Sequence, residues 1–390
     1  MSSTPVAAPP RGTRPPNRRE LLRAAAAELF VRHGYANVAI ADIAAAVNVG
    51  PSAVYRHYPG KAELLFDTLD IALDRSMAAM PASGTAQLAE IARALAVQTL
   101  DNRAAGVLFQ REARRLPAEA MAQIRRKRAQ ISRSLTVELS RLRPGLAIEQ
   151  AELLGICAID AVAGVSFHRL ELPRARYEEL LTDLALRVLR FEPSADTSRE
   201  SRPRRPESTS RADEILDAAM ALFAERGYAE VGIDDIGAAV GMAGPSLYNH
   251  FPSKQAILVA AMLRGHTQLR AAMQDARAQG TNALDVLRRL TDAYVDLTLD
   301  HPDRTTVMIS EAVHLHRPGG APEVRGVQRA FIADWVELAL AVRPGADPTE
   351  VRIQVQAAQM MANDVTRTPR LRRISGLRAT VRDVALALQQ

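Results

Sequence analysis

Apolar side chains recur along this chain at spacings of three and four and almost nowhere alternate. Leu22, Ala26, Leu29 and Phe30 line one helical face, and Ile215, Ala219, Leu222 and Phe223 repeat it much later. Gly34 and Gly227 follow directly and suit the left-handed residue that ends a helix. Val38, Ile40, Ile43 and Val47 then form the buried face of a short helix. Asn48, and Gly241 in the later copy, interrupt it with residue types that readily take positive φ, so a tight turn is predicted. A second short helix follows from about Gly50 to Arg56, with Val54 inward. Amphipathic helices are then predicted near 61–80, 86–101, 104–114, 117–141, 147–168 and 175–191. The later half repeats them near 254–277, 281–300, 303–315, 322–342, 348–366 and 372–388. No stretch carries a strand signal, so the fold class is all-α.

The repetition is literal. Gly34–Leu65 and Gly227–Leu258 align without a gap at a constant spacing of 193 residues. The boundaries that follow are a Pro-rich basic tail over 1–16, a helix-turn-helix domain over 17–60 and a helical regulatory domain over 61–191. A Pro, Ser and Arg-rich linker spans 192–209; a second helix-turn-helix domain covers 210–253 and a second regulatory domain 254–390. Extended, such a linker reaches roughly 60 Å, enough to join two domains lying side by side.

Composition sharpens this picture at several points. Hydrophobic content is 47% but aromatic content only 4%, which favours Ala- and Leu-rich helices over sheets. The formal charge of +6 fits a polyanionic partner without establishing one. Among basic residues only three are lysines, Lys61, Lys127 and Lys254, and two of these share one repeat position; that position has a particular demand. The single cysteine, Cys157, sits in an apolar helical pattern and reads as a buried thiol in a reducing, cytoplasmic compartment. No signal sequence and no uncharged apolar run of membrane-spanning length are seen.

A helix, a tight turn and a second short helix form the shape that places its second helix in a DNA major groove. Tyr55, His57 and Lys61 recur as Tyr248, His250 and Lys254, three groups suited to successive phosphates of a double-stranded DNA operator. Pro59-Gly60-Lys61 and Pro252-Ser253-Lys254 each open a new helix, and a helix N-terminus beside a lysine suits a phosphate. The plainer alternative is that Tyr and His pack the turn while Lys is solvated; retention of all three in both copies argues against it.

At these residues the chain resembles the TetR/AcrR family of bacterial transcriptional regulators. The pattern Gly-Tyr…Asp-Ile…Val…Tyr-x-His-Tyr/Phe-Pro-x-Lys covers about 50 residues of each copy. The resemblance implies a three-helix DNA-binding domain on a helical domain that holds a small-molecule effector and a dimer interface. It implies a sequence-specific regulator, by default a repressor released by its ligand, with no cofactor and no enzymatic step. Two departures stand out: Ala39 and Gly232 replace the family's usual hydroxyl at the second helix start, and Pro51 and Gly244 replace an early lysine in the reading helix. Base reading is then expected of Gly50, Pro51, Ser52, Ala53 and Arg56 in copy one. In copy two it falls to Ala243, Gly244, Pro245, Ser246 and Asn249. Arg reads guanine and Asn adenine, so the half-sites should differ.

Two heads in one chain suggest a pseudo-dimer within the chain, its heads about one DNA turn (roughly 34–36 Å) apart; a homodimer of chains is the alternative. The candidate pairing stripes are Ile156, Ile159, Val162 and Phe167 with Leu180, Leu184 and Val188 in copy one. In copy two they are Val355, Ala358, Met361 and Val365 with Leu377, Val381, Val384 and Leu388. Plain domain core is an equal reading of both. Arg11, Arg14, Arg18 and Arg19, and the linker's Arg202, Arg204 and Arg205, could add DNA contacts as basic arms. Effector contacts are expected from Phe66, Phe109, His168, Tyr294, Met308, His314, His316 and Trp335, against a reading of these as ordinary core. His314 and His316, two apart on a helix, do not make a metal pair. A phosphate loop, a nucleophile elbow, a zinc protease motif and a dinucleotide fingerprint are all missing, which disfavours an enzyme. A helical interaction protein in which one or both heads no longer bind DNA is the alternative function.

Overall fold

A computed structural model describes residues 17–82, 84–193, 210–311 and 321–390. Arg11, Arg14, the linker arginines, His314 and His316 fall outside them. The chain divides into two units, residues 1–190 and 191–390. The described residues are helical, without strands, as the spacing predicts.

In unit 1 the helices are α1 (Arg18–His33), α2 (Ile40–Ala46), α3 (Pro51–Tyr55), α4 (Lys61–Ala79), α5 (Leu88–Asp101), α6 (Arg103–Glu112), α7 (Ala118–Leu142), α8 (Ile148–Ala163) and α9 (Arg174–Arg190). Leu22, Ala26, Phe30, Ile43, Val54, Tyr58 and Leu64 close the core of the first three helices. Leu108 of α6 and Ile124 of α7 join that same core, so the small head is continuous with the helical body behind it. Gly34 ends α1 at φ 79, a left-handed position that a side chain would strain.

Unit 2 repeats the order: α10 (Arg211–Arg226), α11 (Ile233–Ala239), α12 (Gly244–Leu247), α13 (Lys254–Gln279), α14 (Ala283–Asp300), α15 (Pro302–Ser310), α16 (Pro322–Val342), α17 (Pro348–Thr366) and α18 (Leu377–Ala387). Ser210 caps α10 by accepting from Asp213 N, and Asn282 caps α14 by accepting from Asp285 N. Val307 and Val324 carry the head core into the body here too.

Two helix boundaries differ from expectation for identifiable reasons. The helix predicted over 147–168 stops at Ala163 and tightens into a 3-10 turn, Gly164–Phe167, whose freed carbonyls are taken by Arg103: Val165 O at 2.6 Å and His168 O at 2.7 Å. The helix predicted from 372 begins at Leu377, because Gly376 takes the left-handed conformation at φ 74. One stretch, Ile148–Phe167, is apolar and long enough to cross a membrane; 67% of it is buried inside the chain, and Asp160 lies within it. Of the stripe residues, Val162, Leu180, Leu184 and Val188 are buried, as are all eight named in unit 2, while Ile156, Ile159 and Phe167 stay half-exposed. Cys157 is buried, and burial pushes its thiol well above the ordinary range.

Candidate nucleic-acid interface

Each head is built around one tight turn. Asn48 at φ 56 and Gly241 at φ 66 hold the left-handed conformation the sequence demands there. The chain folds back at once: Val49 N donates to Ala44 O at 3.0 Å, and Met242 N to Gly237 O at 2.8 Å. In head 2 the approach is close enough that a Cβ at Gly237 would stand 2.7 Å from Met242 O. Pro51 then occupies the first turn of α3, where its fixed φ suits a helix start. The missing hydroxyl caps are replaced from three residues downstream. Asp42 accepts from Ala39 N, and Asp235 from Gly232 N, each at 2.7 Å.

This geometry turns one side of α3 and α12 outward. Val54 and Leu247 are wholly buried, and the next residues, Tyr55 and Tyr248, are 57% and 56% exposed. Gly50, Pro51, Ser52, Arg56 and His57 are exposed in head 1, with Ala53 half-buried. Ala243, Pro245, Asn249 and His250 are exposed in head 2, with Ser246 half-buried. Gly244 departs from the reading role assigned to it. It is buried against α11, and a Cβ there would stand 1.8 Å from Asp234 Oδ1, so head 2 uses glycine for fit at this point.

The paired lysines also differ from expectation. Lys61 Nζ folds back to Tyr35 O at 2.9 Å and lies 4.6 Å from the Tyr35 ring centre. Lys254 Nζ donates to Tyr228 O at 2.8 Å and Val231 O at 2.7 Å, 4.5 Å from the Tyr228 ring. Desolvation lowers the pKa of both ammonium groups. These lysines lock the start of α4 and α13 onto the loop after α1 and α10. A compact ammonium with rotatable donors fits such a carbonyl seat under an aromatic ring; the rigid guanidinium fork does not. That is the demand behind two lysines in an arginine-rich chain.

The profile of the tetR family of bacterial regulatory proteins matches this chain twice, at residues 22–68 and 215–261. Both matches cover the helices and turns just described. The chain is a tandem member of the tetR family. The transcriptional activator FasR of Mycolicibacterium smegmatis is 30% identical over 115 residues, 30% of this chain and 52% of FasR. The repressor KstR2 of Mycobacterium tuberculosis is 35% identical over 107 residues, 27% of this chain and 53% of KstR2. The matched stretch thus spans about half the length of these curated relatives. The solved structure of KstR2 covers 47% of this chain and 95% of its own, at 23% identity and a TM-score of 0.41.

In this tandem tetR-family chain the expected effector residues sit as follows. Tyr294 and Trp335 meet edge to face at 5.1 Å, and both polar tips are satisfied: Tyr294 Oη donates to Asn363 Oδ1 at 3.0 Å, Trp335 Nε1 to Gln389 Oε1 at 2.6 Å. That pair reads as closed core. Phe109 lies 3.8 Å under the Arg128 guanidinium, and Met308 is half-buried. His168 Nδ1 accepts from Leu170 N at 3.2 Å.

Three features of the heads were not anticipated from the sequence. Tyr58, in head 1 only, is 1% exposed and donates to Asp67 at 2.6 Å while Arg19 donates to its hydroxyl at 3.3 Å. Burial pushes this phenol up to about 12. Head 2 has Phe251 at that position and instead ties Asp217 to Arg264 and Arg304. The third is Glu112, buried at the end of α6, which accepts from Tyr35 N at 3.3 Å and thereby touches the lysine-clasped loop. Its repeat partner Glu311 is wholly buried. The parallel Leu-Asp…Glu-Ala of 100–113 and 299–312 carried that signal.

Proposed function

We propose that this chain is a sequence-specific DNA-binding transcriptional regulator whose two heads each engage one operator half-site. The carrying observation is that both heads turn the same Tyr-x-His face outward from a short helix that follows a left-handed turn. Tyr55 and His57, and Tyr248 and His250, meet phosphates, while Arg56 and Asn249 meet base edges in the major groove. Relatives of both signs share this head, FasR an activator and KstR2 a repressor, so the head itself does not set the sign. Repression requires only occupancy of a promoter, and release by a small molecule bound in the helical body completes the reading. The two heads on one chain act as a pseudo-dimer on a pseudo-palindrome.

Selection of random duplexes by the purified chain at near-physiological salt tests this. The expected product contains two related, unequal half-sites about one helical turn apart. Retention of no sequence above input contradicts the reading and favours an interaction protein.

A further inference from the structure

Two equivalent helices, α7 and α16, carry opposite surfaces. The same Arg-Pro-Gly follows each, at 143–145 and 343–345, a spacing of 200 residues. Both closures fold alike: Leu146 N donates to Arg143 O at 2.9 Å and Ala346 N to Arg343 O at 3.2 Å. Each arginine also reaches the end of its own unit, Arg143 donating to Leu189 O at 2.8 Å and Arg343 to Gln390 O at 3.1 Å. At that spacing the inward residues correspond, Ile124 with Val324, Leu135 with Trp335 and Leu139 with Ala339, and all six are buried. The outward residues therefore correspond too. On α7 they are Arg126, Gln130, Arg133, Val137 and Arg141, one helical face, all exposed. Val137 is 59% exposed. The matching positions of α16 are Gly326, Ala330, Ala333, Glu337 and Ala341, with Asp334 beside them, and all but Gly326 are exposed. Arg126, Arg133, Asp334 and Glu337 have no hydrogen-bond or ion-pair partner among the described residues. The cation on the inner side of α7 is paired: Lys127 meets Asp70 at 2.7 Å and Asp74 at 2.6 Å.

A solvated charge or one exposed valine is ordinary by itself. Here one face of two related helices has diverged in opposite directions, to cations around an apolar side chain on α7 and to carboxylates on a floor of small residues on α16. Each chain thus carries the complement of its own surface. We infer that the chain self-associates through these faces, α7 of one chain lying antiparallel on α16 of a second chain. The antiparallel register puts Arg133 opposite Asp334, sets Gln130 and the neighbouring Arg126 by Glu337, and lays Val137 over Ala330. A parallel register would set Val137 against Glu337 and leave Arg133 over an alanine. Alanines on α16 let the two helices approach closely. A nucleic acid or an acidic protein on α7 would account for the arginines but not for the carboxylates and alanines at the same positions of α16; a second chain accounts for both. Exposed ion pairs on a single pair of helices bind weakly, so the association depends on concentration and salt.

The test is sedimentation of the full chain, without DNA, over a wide range of protein concentration. The average mass should rise with concentration at about 0.1 M salt and rise less at about 1 M, where the screening length falls from about 10 to about 3 Å. Arg133→Glu and Asp334→Arg should each weaken that step at least about fivefold, because each sets like charges face to face. Both substitutions in one chain should restore it to within about twofold of wild type, and an equimolar mixture of the two single variants should associate where neither does alone. Both positions are exposed, so thermal melting should not change. A mass independent of concentration, an association that neither variant weakens, or a charge exchange that restores nothing would overturn the proposal. Because no DNA is present, failure of the operator reading would show separately in the duplex selection.

Discussion

Lys254 donates to the Tyr228 and Val231 carbonyls, with Ala229 O at 3.5 Å, and Lys61 donates to that of Tyr35. Replacing Lys254 by Met should therefore destabilise head 2 by about 1–3 kcal/mol, and Lys61→Met should cost head 1 less, read as shifts in chemical denaturation. Arg at either position should not restore stability. It follows that Lys61→Glu loosens the head as well as its hold on DNA, whereas exposed Arg56→Ala should leave melting unchanged and lower the salt slope of DNA binding by about one. Tyr58→Phe copies what head 2 already uses and should cost about 0.5–1.5 kcal/mol, the usual worth of one such hydrogen bond. The Tyr58 phenol has its folded pKa raised, so its stability contribution is complete below the ordinary value near 10 and is lost as pH rises to about 12. The Phe variant should lose less stability across that alkaline window. His266 has the opposite character: it is 2% exposed, its Nδ1 has no partner among the described residues, and burial lowers its pKa below 6.5. The unfolded chain takes up that proton first as pH falls below 6.5, so stability drops on acidification. His266→Leu should reduce the drop between neutral pH and mildly acidic pH in thermal melts.

At the scale of elements, what was legible in the sequence was what repeats on a local period. Leu22, Ala26 and Phe30 announced α1, Gly34 its end, and Asn48 with Gly241 the turn; each rests on spacing or on backbone conformation, which neighbours in sequence determine. The outward face of α3 followed from Val54 being inward. Features set by partners distant in sequence were not legible. The lysine seat needs Tyr35 and Tyr228, 26 residues earlier in each case, and nothing in the local pattern distinguishes a clasped ammonium from one facing solvent. Gly244 resembled a surface residue of a reading helix until Asp234 was found beside it. The early end of α8 required Arg103, more than sixty residues away, to take its carbonyls. Because the residues just after α3 and α12 differ, Arg56 against Asn249, exchanging these two residues should exchange guanine and adenine preferences between half-sites, read by selection with the double variant.

For the whole molecule, duplication lets the two units diverge from a common plan. Both units keep the left-handed turn, the lysine clasp and the buried glutamate at the end of α6 and the aligned Glu311 after α15. They diverge in their interiors: in one the buried Tyr177 hydroxyl has no hydrogen-bond partner among the described residues, and in the other Asn363 and Gln389 satisfy the aromatic pair. The most direct test of two working heads is equilibrium binding of the selected operator by three proteins: the wild-type chain, Tyr55→Ala/His57→Ala, and Tyr248→Ala/His250→Ala. Each double variant should lose at least about tenfold in affinity and protect only the opposite half-site, as expected when two linked contacts are reduced to one. If either variant binds and protects the operator like the wild-type chain, that head does not hold DNA, and the two-headed account is wrong.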